Sequence, residues 1–264
     1  MNIQELEKSL IRRTVTPEDF LQHLWRLSDR HKRVARKYSP GKVFLYRTRV
    51  FSNLETPKNV QDLSYPPIHK TKINRANDNG EQVFYASAGM PTTLAESRVK
   101  EGQYIIVSKW KNSKDLLLQE VGIAENPEGI EKIYHDIFTS ADESIYPYSS
   151  KVAKHLMKGI PGFGLLYPSI INKNKSHNIV LSKKFVDEGL ICVNASLYEV
   201  QSIYNDSKFK LDELDFAVAI QDKLEWKGRK KKWIITPELG ELIMKSTGLD
   251  WEAYTKDGQY IEPE

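Results

Sequence analysis

Two arginines alternate with apolar residues in segment 42–50, KVFLYRTRV. Side chains two residues apart share one face of a β-strand, so Arg47 and Arg49 would lie on the same side as Val43 and Leu45. This pattern directs Arg47 towards the core, where a buried guanidinium needs an anionic partner. A structural carboxylate and a bound phosphate would each meet that need.

One acidic residue, Glu96, stands in a segment that is typical of a strand, a turn and a helix (residues 83–98, VFYASAGMPTTLAESR). Gly89 and Pro91 mark the turn, and Pro91 suits the first helical position, where its missing N–H is not needed. The pattern therefore places Glu96 early in the helix. Two interpretations follow: a solvated acid stabilised by the helix dipole, or a carboxylate directed into a cleft.

Three further polar residues stand next to predicted strands. Arg75 and Asn77 come just before the turn signal Asp-Asn-Gly at residues 78–80, which leads into the next strand. Ser169 follows a Tyr-Pro pair at the end of an apolar run, without the Gly-x-Ser-x-Gly pattern of a hydrolase nucleophile. Taken alone, all three residues fit ordinary surface turns.

The common motifs of nucleotide and metal enzymes are absent from this sequence. It contains no Walker A motif, no Gly-x-Gly-x-x-Gly, no His-Glu-x-x-His and no EF-hand loop. The six histidines are not spaced like metal ligands, so no metal site is predicted. The single cysteine, Cys192, excludes an internal disulfide, and its apolar neighbours indicate a buried strand. The remaining candidates for functional groups are arginines, tyrosines, one or two carboxylates and a serine.

Composition indicates an ordinary globular protein. The chain has 264 residues, 40% hydrophobic and 28% charged, with a net charge of +4 that does not demand a nucleic-acid partner. The basic run at residues 227–232 is better explained as a solvated turn than as a nucleic-acid contact. No apolar run reaches transmembrane length, and the polar N-terminus does not resemble a secretory signal, so we expect a cytoplasmic protein.

The predicted elements give an α/β (α+β) fold class. Thr16 and Pro17 mark a helix start within a helical N-terminal segment, and the helix is predicted to end in the basic residues 30–37. Other helices are predicted at 127–138, at 149–159, where Ser149 or Ser150 would be the N-cap, and at 237–248. Strands are predicted at 42–50, 83–85, 103–110, 162–171, 178–182, 190–193 and 197–203.

Five segments, taken in chain order, resemble the RES domain. They are LYR with Arg47, NRANDNGEQVFYAS with Arg75, Asn77 and Tyr85, TTLAESR with Glu96, GLLYPS with Ser169, and NIVL. The resemblance covers residues 42–182. Two positions depart from the family pattern, since Asn74 stands where a glycine usually precedes the arginine and Leu94 stands where an alanine usually follows the threonine.

The resemblance implies a fold and an activity. RES proteins resemble ADP-ribosyltransferases, with a split mixed β-sheet flanked by helices. Here a helical N-terminal extension (1–40) would precede a catalytic core (41–184) and a C-terminal part packed on it (185–264). Characterised members are toxins that degrade NAD+ by hydrolysis or phosphorolysis. The expected activity is that of an NAD+ glycohydrolase or phosphorylase, with NAD+ as substrate and no prosthetic group.

The resemblance also implies residue roles and a partner. The implied catalytic residues are Arg47, Glu96 and Ser169, and the implied NAD+-binding residues are Arg47, Arg75, Asn77, Tyr85 and Ser169. RES toxins are commonly paired with an Xre-type antitoxin that carries a helix-turn-helix domain. The apolar faces of the flanking segments would suit three uses: covering the pocket, forming a homo-oligomer, or replacing a separate antitoxin. Two alternatives remain: an ADP-ribosyltransferase that acts on a macromolecule, and a non-catalytic nucleotide-binding or interaction module.

Overall fold

A computed structural model describes residues 1–28, 31, 33–51, 54, 56–158, 163–171, 176–205, 208–228, 255–256 and 259–260. The helix predicted at 237–248 and most of the basic run at 227–232 lie outside these residues. The chain divides into two compact units. The first comprises Met1–Tyr38, Tyr65–Ser87 and Asp115–Glu188, and the second comprises Ser39–Ser64, Ala88–Lys114 and Gly189–Glu264.

The helices and strands of the described residues are as follows. The helices are α1 (Ile3–Arg12), α2 (Pro17–Leu27), α3 (Met90–Glu96), α4 (Gly129–Thr139), α5 (Tyr146–Met157) and α6 (Lys183–Gly189). The strands are β1 (Ala35–Tyr38), β2 (Phe44–Phe51), β3 (Val83–Ser87), β4 (Tyr104–Asn112), β5 (Leu116–Glu120), β6 (Phe163–Pro168), β7 (His177–Ser182), β8 (Leu190–Asn205), β9 (Lys208–Ile220), β10 (Lys223–Trp226), β11 (Thr255–Lys256) and β12 (Gln259–Tyr260). Short 3₁₀ helices lie at Val60–Leu63, Ile68–Lys70 and Glu143–Ile145.

The first unit is a mixed sheet covered by helices. Its strands are ordered β1, β5, β6, β7, β3. β5 and β6 are parallel, and the other neighbours are antiparallel. Side chains of alternate residues on β6, β7 and β3, such as Leu165, Val180 and Val83, form one buried cluster with α1, α2, α4 and α5. Burial of this apolar cluster is the main stabilising contribution to the unit.

The N-terminal helices are defined by their caps. Asn2 and Glu5 form a reciprocal capping box at the start of α1. The side chain of Thr16 accepts a hydrogen bond from the backbone of Asp19, which confirms the predicted start of α2. The Phe20 ring then packs edge-on against Tyr148 of α5, with ring centroids 5.4 Å apart. The helical N-terminal segment is thus fastened to α5.

The second unit contains an antiparallel sheet ordered β2, β4, β8, β9, β10. β8 is a single strand that joins the two strands predicted at 190–193 and 197–203. The buried residues Leu94, Val99, Ile105, Val107 and Val200 pack together and connect α3 with the sheet. Cys192 is buried in β8 as predicted, and burial raises the pKa of its thiol.

The structure confirms the predicted fold class, since open β-sheet is flanked by helices and preceded by a helical segment. The differences from the prediction include the end of α2 and the start of α5. α2 ends at Leu27, and residues 35–38 form the polar strand β1, which pairs with β5 and forms ion pairs such as Lys37–Asp115 (2.7 Å). α5 begins at Tyr146, so Ser149 and Ser150 lie inside the helix and do not cap it.

No helix among the described residues has the length and apolar character to cross a membrane.

Candidate active site

Arg75 lies in a compact loop of the first unit, residues 71–82, which we call the Arg75 loop. Asn74 and Asn77 exchange backbone hydrogen bonds of 2.9 and 3.4 Å on either side of Arg75. The side chain of Asn74 accepts a third from the Arg75 backbone N–H (2.8 Å). Gly80, with φ of 75°, donates to the carbonyl of Thr71 and closes the loop. The predicted Asp-Asn-Gly turn is therefore one part of a larger hydrogen-bonded loop.

Asn77 and Tyr85 hold the Arg75 loop in shape. The Asn77 amide donates to the carbonyls of Lys72 and Asp78, both at 2.9 Å, so both of its N–H groups are used within the loop. The hydroxyl of Tyr85, on β3, donates to Asn77 Oδ1 and accepts from the Ala76 backbone N–H, each at 2.9 Å. The structure thus brings Asn77 and Tyr85 together with the backbone on both sides of Arg75.

The Arg75 side chain is a buried cation. Arg75 is 5% exposed, and its guanidinium carbon lies 5.1 Å from the centre of the Tyr146 ring, at the start of α5. Among the described residues, no carboxylate is within ion-pair distance of it, and its Nη1 atom is buried without a hydrogen-bond partner. A buried guanidinium in such a place is suited to binding an anion.

Charged and polar side chains of α5 reach the same loop. Ser150 donates to Asp78 Oδ1 at 2.7 Å, and Lys151 lies 3.6 Å from the other carboxylate oxygen. Lys151 also pairs with Glu18 of α2 at 3.0 Å. This hydrogen bond raises the pKa of Lys151 and lowers the pKa of Glu18.

Ser169 lies just after β6 in the first unit and is fully buried. Its backbone N–H donates to the carbonyl of Ser176 (3.0 Å), and its Oγ accepts from the backbone N–H of Ile171 (3.3 Å). The neighbouring His177 begins β7, and burial lowers the pKa of its imidazole. These hydrogen bonds hold Ser169 in place where the chain leaves β6.

Arg47 lies in the second unit, in the middle of β2, and is half-buried. It pairs in register with Ser108 of β4, whose hydroxyl donates to the Arg47 carbonyl at 3.2 Å. On the same strand face, Arg49 donates to the Ser64 carbonyl at 2.5 Å, and burial lowers its pKa against the opposing charge of Asp62. The alternating pattern correctly predicted a strand here, and both arginines on it are half-buried.

Glu96 is the last residue of α3 and is half-buried. The helix starts at Met90 and has only seven residues, so the prediction that Glu96 lies near its start is wrong. A carboxylate at a helix C-terminus is disfavoured by the helix dipole, so the solvated helix-start interpretation no longer explains it. Within this unit, the Thr48 backbone N–H donates to Thr93 Oγ1 (3.0 Å), which joins the strand of Arg47 to the helix of Glu96.

Tyr146 and Ser150 contact Arg75 and Asp78, respectively, and nothing in the sequence indicated either contact. Their contacts depend on how α5 packs against residues 71–82, and no local pattern reports that packing. A metal ion has no evident ligand set here, since the described part of the chain holds no group of three His, Cys, Asp or Glu side chains suited to one.

Comparison with protein-family models identifies a family for this chain. The model of the RES domain family matches residues 45–195, which is more than half of the chain and includes Arg47, Arg75, Asn77, Tyr85, Glu96 and Ser169. No curated protein matches the sequence. The matched segment agrees closely with the residues 42–182 from which the resemblance was inferred. This chain belongs to the RES domain family.

Proposed function

We propose that this protein cleaves the nicotinamide–ribose bond of NAD+, with water or phosphate as the acceptor, and that it is the toxin of a toxin–antitoxin pair with an Xre-type antitoxin. RES domain membership is consistent with an NAD-related, toxin-like domain.

The observation that carries the proposal is the buried cation at Arg75. Its Nη1 has no hydrogen-bond partner among the described residues, so the free protein holds a desolvated positive charge. NAD+ carries a diphosphate, and a guanidinium binds phosphate oxygens with paired, charge-assisted hydrogen bonds. In this proposal Arg75 and Arg47 bind the diphosphate, Tyr85 and Asn77 maintain the Arg75 loop, and Ser169 contacts the nicotinamide side.

Glu96 supplies the catalytic charge. Breaking a glycosidic bond develops positive charge on the ribose in an oxocarbenium-like transition state. Nicotinamide leaves as a neutral molecule and takes the bonding electron pair, so its departure needs no general acid. An ionised carboxylate next to the ribose stabilises the developing charge and accepts a hydrogen bond from the 2′-hydroxyl. We assign this function to the half-buried Glu96 carboxylate, which lies at the C-terminal end of α3.

The acceptor then completes the reaction. Water adds its oxygen to the ribosyl carbon, loses a proton and gives ADP-ribose, whereas phosphate adds through one of its oxygens and gives phosphorylated ADP-ribose. The same residues serve both acceptors, because the charge to be stabilised is the same.

Product analysis tests this proposal. Purified protein is incubated with NAD+ labelled in the adenosine part, with and without phosphate. The products are then separated and identified by mass spectrometry. We expect free nicotinamide together with ADP-ribose, or with its phosphorylated form when phosphate is present. Label on a protein or nucleic acid would instead establish the transferase alternative. Intact NAD+ with a folded, NAD+-binding protein would overturn the proposal in favour of a binding module.

A further inference from the structure

One face of α5 is matched to the Arg75 loop at three points. Tyr146, Ser150 and Lys154 are four residues apart, so they lie along one side of the helix. They meet loop residues that are three apart. The pairs are Tyr146 with Arg75, Ser150 with Asp78, and Lys154 with Glu81.

The three pairs differ in strength. Ser150 is fully buried, and its 2.7 Å hydrogen bond to the Asp78 carboxylate is of the strong, charge-assisted kind. The half-buried Tyr146 ring packs on the guanidinium of Arg75, which is itself buried. In the Lys154–Glu81 pair (3.2 Å) the lysine side chain is exposed and the glutamate is half-buried, and ion pairs at the surface contribute little.

The two strong pairs constrain different parts of Arg75. The Ser150 hydroxyl holds the side chain of Asp78, and the Asn77 amide holds its backbone carbonyl. Together these two bonds fix the loop three residues beyond Arg75. The Tyr146 ring restricts the guanidinium itself, since the guanidinium carbon lies 5.1 Å from the ring centre, within the range of a cation–π contact. The Arg75 side chain would otherwise sample many rotamers, and restricting them lowers the entropic cost of binding.

We propose that Tyr146 and Ser150 are positioning residues, which orient the Arg75 guanidinium to receive the diphosphate of a dinucleotide. This inference rests on the proposed function, because it identifies the residues that prepare that binding site. Neither residue is placed in contact with the substrate. Their contribution is made in the substrate complex and in the transition state alike, since the diphosphate is bound in both.

A positioning function predicts a particular kinetic pattern. Loss of an interaction that is equal in the substrate complex and the transition state raises KM and leaves kcat unchanged. For Ser150→Ala and for Tyr146→Leu we expect KM and the Kd for ADP-ribose to rise about tenfold, the factor that corresponds to one lost charge-assisted hydrogen bond or cation–π contact. Tyr146→Phe keeps the ring and should match the wild type in KM and Kd.

The control variant is Lys154→Met, on the same helix face. Its surface pair with Glu81 should be nearly neutral, so KM and Kd should stay within about twofold of the wild-type values. A KM that rises equally in Lys154→Met and Ser150→Ala would indicate general loosening of α5 and would overturn the positioning assignment. So would a fall in kcat without a change in KM.

A second readout needs no NAD+. Amide hydrogen exchange of the free protein reports local opening of the Arg75 loop. We expect Ser150→Ala and Tyr146→Leu to speed exchange at residues 72–79 by about tenfold, with Tyr146→Phe and Lys154→Met unchanged. Unchanged exchange in the first two variants would refute positioning even if NAD+ were cleaved. If the two variants exchange faster but the wild-type protein neither binds nor cleaves NAD+, the proposed function is refuted. Tyr146 and Ser150 are then only supports of the loop.

Discussion

Removal of the buried cation at Arg75 should affect the stability of the fold and the binding of NAD+ in different directions. Arg75→Met removes the charge but keeps most of the apolar stem. In the free protein, the change relieves the desolvation penalty of an ion that has no carboxylate partner among the described residues, a penalty of roughly several kcal/mol. It also loses the stacking on Tyr146, which contributes ~0.5–2 kcal/mol. The expected free energy of unfolding is therefore equal to or higher than that of the wild type.

Binding should change in the opposite direction. A hydrogen bond to a charged group contributes ~1.5–3 kcal/mol, so the loss of one bond from Arg75 to a phosphate should weaken NAD+ binding about 10- to 150-fold. Urea unfolding measures the first quantity, and calorimetric titration with NAD+ or ADP-ribose measures the second. The matched variant is Arg49→Met, because Arg49 donates to the Ser64 carbonyl within its own unit. That variant loses a charged hydrogen bond, which contributes ~1.5–3 kcal/mol, together with the desolvation penalty of its own guanidinium, so its stability should fall below that of Arg75→Met.

The opposite result would refute this reasoning. If Arg75 were a structural cation paired with a carboxylate, its removal would cost ~3–5 kcal/mol, because a buried charge would be left without its partner. A destabilisation of that size with unchanged NAD+ affinity would identify Arg75 as part of the core and not of a binding site.

Three further predictions follow from other parts of the molecule. Gly164→Ala in β6 should lower the free energy of unfolding by ~1–3 kcal/mol in urea titrations, because its Cβ would lie 2.5 Å from Leu181 Cδ2 and 2.7 Å from the Val180 carbonyl oxygen; an unchanged midpoint would contradict that close packing. Burial lowers the pKa values of His155 and His177. Below about pH 6.5 the unfolded chain therefore binds more protons than the folded one. The free energy of unfolding should be at its full value above that pH and should fall as the pH drops through the lowered pKa values. Replacing both histidines by glutamine should flatten the change in unfolding midpoint between pH 7.5 and 5.5, and a slope identical to wild type would contradict this assignment. Cys192 should react with a thiol reagent at pH 8 only after unfolding, because burial raises its pKa; fast labelling of the native protein would show that the thiol is accessible.

Local signals predicted many of the elements correctly. Thr16 and Pro17 define the start of α2 because a side-chain cap and a proline act within a few residues of each other. The alternation around Arg47 predicted β2, since one buried face imposes a period of two. The apolar runs that became β6 and β7 were recognisable for a similar reason, as strands buried on both faces are apolar throughout.

The wrong predictions concern features that depend on distant partners. Residues 35–38 carry two basic side chains and look like a helix end, but they form β1 because β5 supplies backbone partners and carboxylates at residues 115 and 120. Ser149 and Ser150 looked like caps, yet α5 starts at Tyr146, directly after a 3₁₀ helix whose N-cap is Asp142. Residues near a helix end are the least certain part of any local pattern.

In the candidate site, too, the residues could be identified from the sequence, whereas the contacts between distant residues could not. The sequence identified Arg47, Arg75, Asn77, Tyr85, Glu96 and Ser169 through the family resemblance, and the matched family segment includes all of them. The sequence could not show that Asn77 and Tyr85 bond to each other, since eight residues separate them along the chain. Nor could it show that Tyr146 lies on Arg75, because that contact spans 71 positions and depends on the packing of α5.

The central claim, that Glu96 supplies the charge for breaking the nicotinamide–ribose bond, is tested most directly by comparing Glu96→Gln with the wild type. The control is Glu101→Gln, because Glu101 is exposed and its side chain accepts a hydrogen bond from the Ile203 backbone, which a glutamine can still do. Nicotinamide release is followed by mass spectrometry, and NAD+ binding by calorimetry. We expect Glu96→Gln to bind NAD+ but to release nicotinamide at least ~100-fold more slowly, with Glu101→Gln unchanged. Wild-type rates in Glu96→Gln would contradict the account.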